Sequence, residues 1–304
     1  MQTKAVAAPS RRTFLAGVAA TAVVAGLDAA TPTSARAAPK EFRLRAAPGT
    51  ARLVPAPSPA TPVWSYGSVP GPEIRVRQGE RVRVVVENAL SEETTVHWHG
   101  MRVPNPMDGV PHLTQRPIAP GETFVYEFDA VDAGTFWYHP HQRSFEQVGR
   151  GLYGPLVVEE VEPPAVDREV TWVLDDWRLT KDASISDGFG NLMEAGMSGR
   201  IGNTVTVNGQ VPETFAVKAG ERLRIRLINA ANARIFALEF EGHDPRIIAL
   251  DGQPVDPHRP SGGRIVLGPA MRADLVLDMA GEPDAQFRVV DTFYEGLEYR
   301  LLDI

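Results

Sequence analysis

Gly79-Glu80-Arg81-Val82-Arg83-Val84 and Gly220-Glu221-Arg222-Leu223-Arg224-Ile225 are two copies of one pattern, 141 residues apart. Each begins with a Gly-Glu pair and then alternates a cationic with an aliphatic side chain. Successive side chains of an extended strand point to opposite faces, so this alternation marks a strand with one buried face. The match continues, because Asn88-Ala89 is echoed by Asn229-Ala230 at the same offset. A chance coincidence of three residues would not run on in this way. The chain reads as two copies of one β-domain.

The rest of the sequence agrees. Ile74 and Val76 alternate with Arg75 and Arg77, and Phe124, Tyr126 and Phe128 share one face of another period-two run. Such runs predict half-buried antiparallel strands. With 27 Gly and 26 Pro among 304 residues, many short strands joined by turns are favoured over long helices. The fold class expected is all-β, two tandem Greek-key sandwiches. The two domains are expected at 38–160 and 161–304, joined near Val161-Glu162-Pro163-Pro164. Residues 178–203 are polar and read as a long connection with a short helix inside the second domain.

Residues 1–37 stand apart from this pattern. Arg11-Arg12 is followed by Phe14-Leu15 and a short apolar run rich in Gly and Ala, and Ala35-Arg36-Ala37 offers a small-x-small cleavage site. The run is too short for a membrane span. The segment reads as a signal peptide of the twin-arginine type, which places the protein in the periplasm or outside the cell. Lys4, Arg11, Arg12 and Arg36 against Asp28 give this segment +3, and −7 less +3 leaves −10 for the remainder. An acidic body without a basic block argues against nucleic acid and anionic membranes as partners. The sequence contains no Cys, so these residues supply neither a disulfide nor a thiolate ligand.

Of seven histidines, four form two His-x-His pairs, His97-Trp98-His99 and His139-Pro140-His141. Residues i and i+2 of a strand share a face, so each pair presents two imidazoles side by side. Pro140 marks a strand end and biases His139 toward extended backbone. Four convergent imidazoles predict a metal site, and imidazole suits copper, zinc, iron and nickel alike. At the 141-residue offset His97 and His99 fall on Leu238 and Phe240, so the second copy is expected to fill the corresponding face with apolar groups and to bind no such metal. His112, His243 and His258 are isolated among Pro, Gly and Asp, and are expected to be solvent-exposed loop residues.

His97-Trp98-His99-Gly100 followed by Trp137-Tyr138-His139-Pro140-His141 resembles the N-terminal half of the multicopper oxidases, the laccase-like family. Val69-Pro70-Gly71-Pro72, Met107-Asp108-Gly109-Val110-Pro111, Val207-Asn208-Gly209 and Ala249-Leu250-Asp251-Gly252-Gln253 strengthen the resemblance. It implies cupredoxin domains and a trinuclear copper cluster, with His97 a ligand of the type 2 copper and His99, His139 and His141 ligands of the type 3 pair. It further implies that dioxygen is reduced to water with electrons from an unidentified donor substrate, passed on by a separate type 1 copper. Asp108 matches an acidic residue that helps deliver protons to the cluster, although Asp-Gly is equally a turn signal.

A type 1 site needs a Cys thiolate with two histidines. The sequence lacks that Cys, so a third cupredoxin domain or a partner chain is expected to supply the type 1 site and the other cluster ligands. The alternative expected from sequence is a non-catalytic copper-binding or envelope protein of the same fold. A zinc hydrolase fits less well, since catalytic zinc usually keeps three protein ligands and an open position.

Overall fold

The computed structural model describes residues 38–304. The expected export signal, residues 1–37, lies outside the described residues. The first eight strands are β1 (Lys40–Ala51), β2 (Thr61–Ser65), β3 (Ile74–Arg77), β4 (Arg81–Asn88), β5 (His97–His99), β6 (Thr123–Asp129), β7 (Gly134–His139) and β8 (Gly154–Glu159). They form two four-stranded sheets, ordered β2-β1-β4-β6 and β3-β8-β7-β5. A single helical turn, α1 (Ser144–Gln147), follows β7.

Ten more strands follow. They are β9 (Arg168–Trp177), β10 (Thr204–Val207), β11 (Arg222–Asn229), β12 (Phe236–Phe240), β13 (Arg246–Leu250), β14 (Gln253–His258), β15 (Ile265–Leu267), β16 (Arg272–Asp278), β17 (Arg288–Asp291) and β18 (Tyr299–Asp303). They build a six-stranded sheet, β10-β9-β11-β16-β13-β14, and a four-stranded one, β15-β12-β17-β18. Within residues 178–203 lies a short helix, α2 (Leu192–Ala195), whose first turn is capped by the Asn191 side chain accepting from Met193 N and Glu194 N.

Each half encloses its own apolar core. Val82, Val84, Val86, Trp98, Tyr126, Phe128 and Tyr138 pack together in the first, and Leu223, Ile225, Leu227, Phe236, Leu238, Phe240 and Leu275 in the second. The chain is thus all-β, with two sandwiches whose neighbouring strands are often non-consecutive, the signature of Greek-key crossovers. No helix of the described residues is long and apolar enough to cross a membrane.

The expectation of purely antiparallel strands is corrected. β1 pairs with β4, β3 with β8, and β9 with β11 in parallel. Alternation reports which face is buried, not which way the neighbouring strand runs.

The repeat is visible in atomic detail. Asn88 Nδ2 donates to the carbonyls of Glu92 and Ile118, and its Oδ1 accepts from Leu90 N. Asn229 Nδ2 donates to those of Arg234 and Leu267, and its Oδ1 accepts from Ala231 N. Both side chains close the turn after the repeated strand. The first turn spans Asn88 to Glu92 and the second Asn229 to Arg234, so the second is one residue longer.

That extra residue corrects the expected match of the histidine strand. The Thr94–Ile118 bridge of the first half has its counterpart in the Phe236–Leu267 pair, an offset of 142 rather than 141. A one-residue shift moves every side chain to the other face. Leu238 and Phe240 belong to the core, as Trp98 does, and the positions matching His97 and His99 are Glu239 and Glu241. The second copy therefore bears carboxylates, not apolar groups, where the first bears imidazoles.

The two halves meet along a dense seam. Leu53, Val63, Trp137, Tyr153, Val173, Trp177 and Ile228 form a shared apolar cluster. Gly134 and Gly252 approach so closely that a Cβ on Gly134 would collide with the Gly252 carbonyl. The Arg224 and Arg226 side chains, expected on the solvent face, are only 2% and 1% exposed. Asp274 Oδ2 accepts from Arg224 Nη2 at 2.6 Å and from Arg226 Nη1 at 2.9 Å, while Glu160 and Glu169 complete the network. The cationic face of β11 is thus turned into the seam, where carboxylates compensate it.

Candidate metal centre

β5 and β7 are antiparallel neighbours, and their register sets His97 opposite His139. Between the two histidines of β5, Trp98 points the other way into the core, against Tyr126 and Phe128 at 5.3 and 5.0 Å between ring centroids. Its burial fixes the register, which leaves His97 and His99 no choice of face. His97, His99 and His139 offer ring nitrogens that all lie within 4.8 Å of one another. His141, one residue beyond Pro140 and outside the strand, still brings its ring to 5.0 Å from that of His97. All four predicted histidines are therefore neighbours.

Surrounding groups set their tautomers. The Nδ1 of His97 is 2.7 Å from the Asp108 carbonyl, and that of His139 is 2.9 Å from the Pro140 carbonyl. A carbonyl can only accept, so both protons sit on Nδ1 and both Nε2 lone pairs are free for a metal. His99 Nδ1 lies 3.3 Å from His139 Nε2, where it can donate or turn its own lone pair toward the same cation. Burial is the main force lowering the pKa of His139 to about 3 and that of His99 to about 4, with the neighbouring imidazoles adding to it. Both are neutral near pH 7, the form a metal requires.

Above the ordinary histidine pKa of 6.5, the folded and unfolded states both carry these rings neutral. As pH falls from there toward 3 or 4, the unfolded chain gains protons that the folded one refuses, and stability is lost. In chelator, the melting temperature should fall less steeply between pH 7 and 4.5 in His139→Gln than in the parent. Parallel pH profiles would remove this account of the site.

Asp108 approaches His97 through both of its oxygen types, since its Oδ1 is also 3.3 Å from Nδ1. It ends the helical turn Asn105–Met107, and Gly109 follows at φ +77°. A Cβ on Gly109 would collide with the Val96 carbonyl, so only glycine lets this turn pass beneath β5 and deliver Asp108 to His97.

Other contributing residues gave no signal in the sequence. Thr95 Oγ1 accepts from His141 N at 3.1 Å. Gln147 on α1 accepts from Thr94 Oγ1 and donates to the Glu93 carbonyl, which ties the segment after His141 to the segment before His97. Trp137 stacks on His139 with centroids 4.2 Å apart. Spacing could not reveal the roles of Thr95 and Gln147, because each acts across more than forty residues of sequence.

The remaining histidines only partly match expectation. His112 is an exposed turn residue. His258 is exposed but ends β14 rather than lying in a loop. His243 is half-buried against Phe287, at 4.6 Å between ring centroids, because the turn after β12 folds back on that ring.

Fold and site together define a β-sandwich protein with a cluster of histidines whose ring nitrogens are close enough to share a metal ion. Residues 50–163 and 168–299 each match a family described as multicopper oxidase. The chain belongs to the multicopper oxidase family. It is 33% identical to multicopper oxidase MmcO of Mycobacterium tuberculosis over 252 residues, covering 73% of this chain and 49% of that protein. It is 31% identical to copper resistance protein A of Escherichia coli, covering 71% of this chain and 42% of that one. The chain thus spans about half the length of the curated relatives it matches. A crystal structure of a multi-copper oxidase from Pseudomonas thermotolerans superposes with a TM-score of 0.80 at 42% identity, covering 88% of this chain and 63% of that one.

Proposed function

We propose that this chain is the histidine-pair half of a laccase-like oxidase that couples oxidation of a donor substrate to reduction of dioxygen to water. The observation that carries the reading is the convergence of His97, His99 and His139, with His141 beside them. In this reading His97 is a ligand of the type 2 copper, and His99, His139 and His141 serve the type 3 pair. The donor set fits: His97 and His139 turn Nδ1 to carbonyls, which directs Nε2 toward a metal, and the rings of His99 and His139 are neutral near pH 7.

Copper bound here would supply the electron-accepting and oxygen-binding chemistry. The chain's own residues prepare for it. The Asp108 carbonyl and the Pro140 carbonyl hold the rings of His97 and His139 and keep Nε2 available. Trp137 and the buried flank of His139 exclude water from one side. The Asp108 carboxylate, one-third exposed, lies between His97 and solvent and is placed to pass protons. Residues 38–160 carry the ligands and 161–304 act as scaffold. Residues 1–37 are an export signal in the same reading, which puts the protein in the periplasm or outside the cell.

No thiolate exists among these 304 residues, so the type 1 copper and the remaining ligands come from a further cupredoxin domain or a partner chain. The copper-loaded chain alone should consume no dioxygen with a phenolic donor, and should gain this activity when that domain is supplied. Robust turnover by the pure chain would refute the need for a partner. A second reading, copper binding without catalysis, is favoured by the relatives named copper resistance protein A. Copper retention that never yields oxygen consumption, whatever cupredoxin domain is added, would favour it.

A further inference from the structure

Gly100 directly follows His99 and has φ +88°, a backbone conformation that already favours glycine. A second constraint comes from the other sandwich. A Cβ on Gly100 would collide with the guanidinium of Arg272, the first residue of β16. That side chain is 4% exposed and crosses the seam to reach the histidine strands. Its Nε donates to the Thr135 carbonyl on β7 at 3.3 Å, and its Nη1 to the Ala270 carbonyl at 2.9 Å. Its Nη2 donates to the Asp251 carbonyl at 2.9 Å, and Asp251 Oδ1 lies 3.2 Å from Nη1.

The guanidinium thus bonds to β7 and lies against Gly100, the residue that follows β5, although it belongs to the half without metal ligands. Arginine stays charged when buried. Its carboxylate neighbours compensate it only in part, since Asp251 is 49% exposed and the buried Asp274 is bonded to Arg224 and Arg226.

We infer that Arg272 is a positioning residue that also sets the preference of the histidine site for oxidation state, its buried positive charge disfavouring cupric more than cuprous ion. This rests on the copper reading given above. A fixed positive charge repels a dication about twice as strongly as a monocation. Removing it should strengthen cupric relative to cuprous binding. Removing the Asp251 charge should do the opposite.

The test is chelator competition on the full chain, with Cu(II) and Cu(I) titrated separately. Arg272→Met should shift the ratio of the two affinities about tenfold toward Cu(II), and Arg272→Lys should keep the parent ratio. Asp251→Asn, at a half-exposed turn, should shift the ratio toward Cu(I) and keeps the inference testable if Arg272→Met fails to fold. A ratio unmoved in Asp251→Asn and in any folded Arg272→Met, even with both affinities reduced together, would overturn the inference and leave the copper reading standing. A parent chain that takes up neither ion would overturn both.

Discussion

Replacing His139 by alanine should lower cupric-ion retention by about 100-fold or more, the largest effect expected of any single change at the centre. Loss of groups that merely support a ligand costs 10- to 100-fold in metal affinity, and His139 is a ligand candidate in its own right. It is the most deeply buried of the four rings, it is locked by the Pro140 carbonyl, and its Nε2 faces His99. His97→Ala should have a similar effect, whereas His112→Ala, at an exposed turn, should have none. The measurement is copper content after loading and desalting, with circular dichroism to establish that the β-fold persists. Undiminished copper in both histidine variants would place the metal elsewhere.

Asp274→Ala should destabilise the protein by roughly 3–5 kcal/mol, the cost of leaving buried charges without their partner. Asp274 is 1% exposed, and it accepts from Arg224, Arg226 and Thr135 together. Glu160 and Glu169 remain, but both are more than one-fifth exposed and hold the guanidinium groups only from the solvent side. For a protein of this size the melting temperature should drop by about 10 °C, at roughly 2–4 °C per kcal/mol. Replacing Asp274, Arg224 and Arg226 together by apolar groups of similar volume should recover much of the loss, because it removes the charges along with the compensation. A melting temperature within about 1 °C of the parent in Asp274→Ala would show that the network is no part of what holds the seam.

Local pattern carried much of this structure in the sequence. The alternation around Val82 and Leu223, the two His-x-His pairs and the repeated Gly-Glu-Arg start are features of neighbouring residues, and each reports the face of a strand directly. Long-range features were not legible. Arg222, Arg224 and Arg226 have the spacing of a solvated stripe, and only the packing of one sandwich on the other shows that two of the three are buried. Arg272 gave no sign of reaching the segment after His99, since it lies far along the chain and its guanidinium comes up against Gly100 only across the seam.

The single error of register is instructive. An offset of 141 holds through Asn88 and Asn229 and fails just after them, where one added residue turns the following strand over. The spacing is constant up to that point, and nothing in the local pattern marks the flip. The hydrogen bonds of the two asparagines reveal it, because each bridges its turn to a carbonyl at a different distance along the chain.

The close approach of Gly134 and Gly252 leaves no space at the seam for even a methyl group, and the charged network holds the adjoining Thr135 of β7 through Asp274 and Arg226. The sandwiches are therefore unable to rock against each other without breaking contacts on both sides. A complementary set of ligands arriving from elsewhere would meet imidazoles already fixed in their final orientation. Little freedom would then be surrendered on assembly, so the loaded centre should close around its ions quickly and release them slowly.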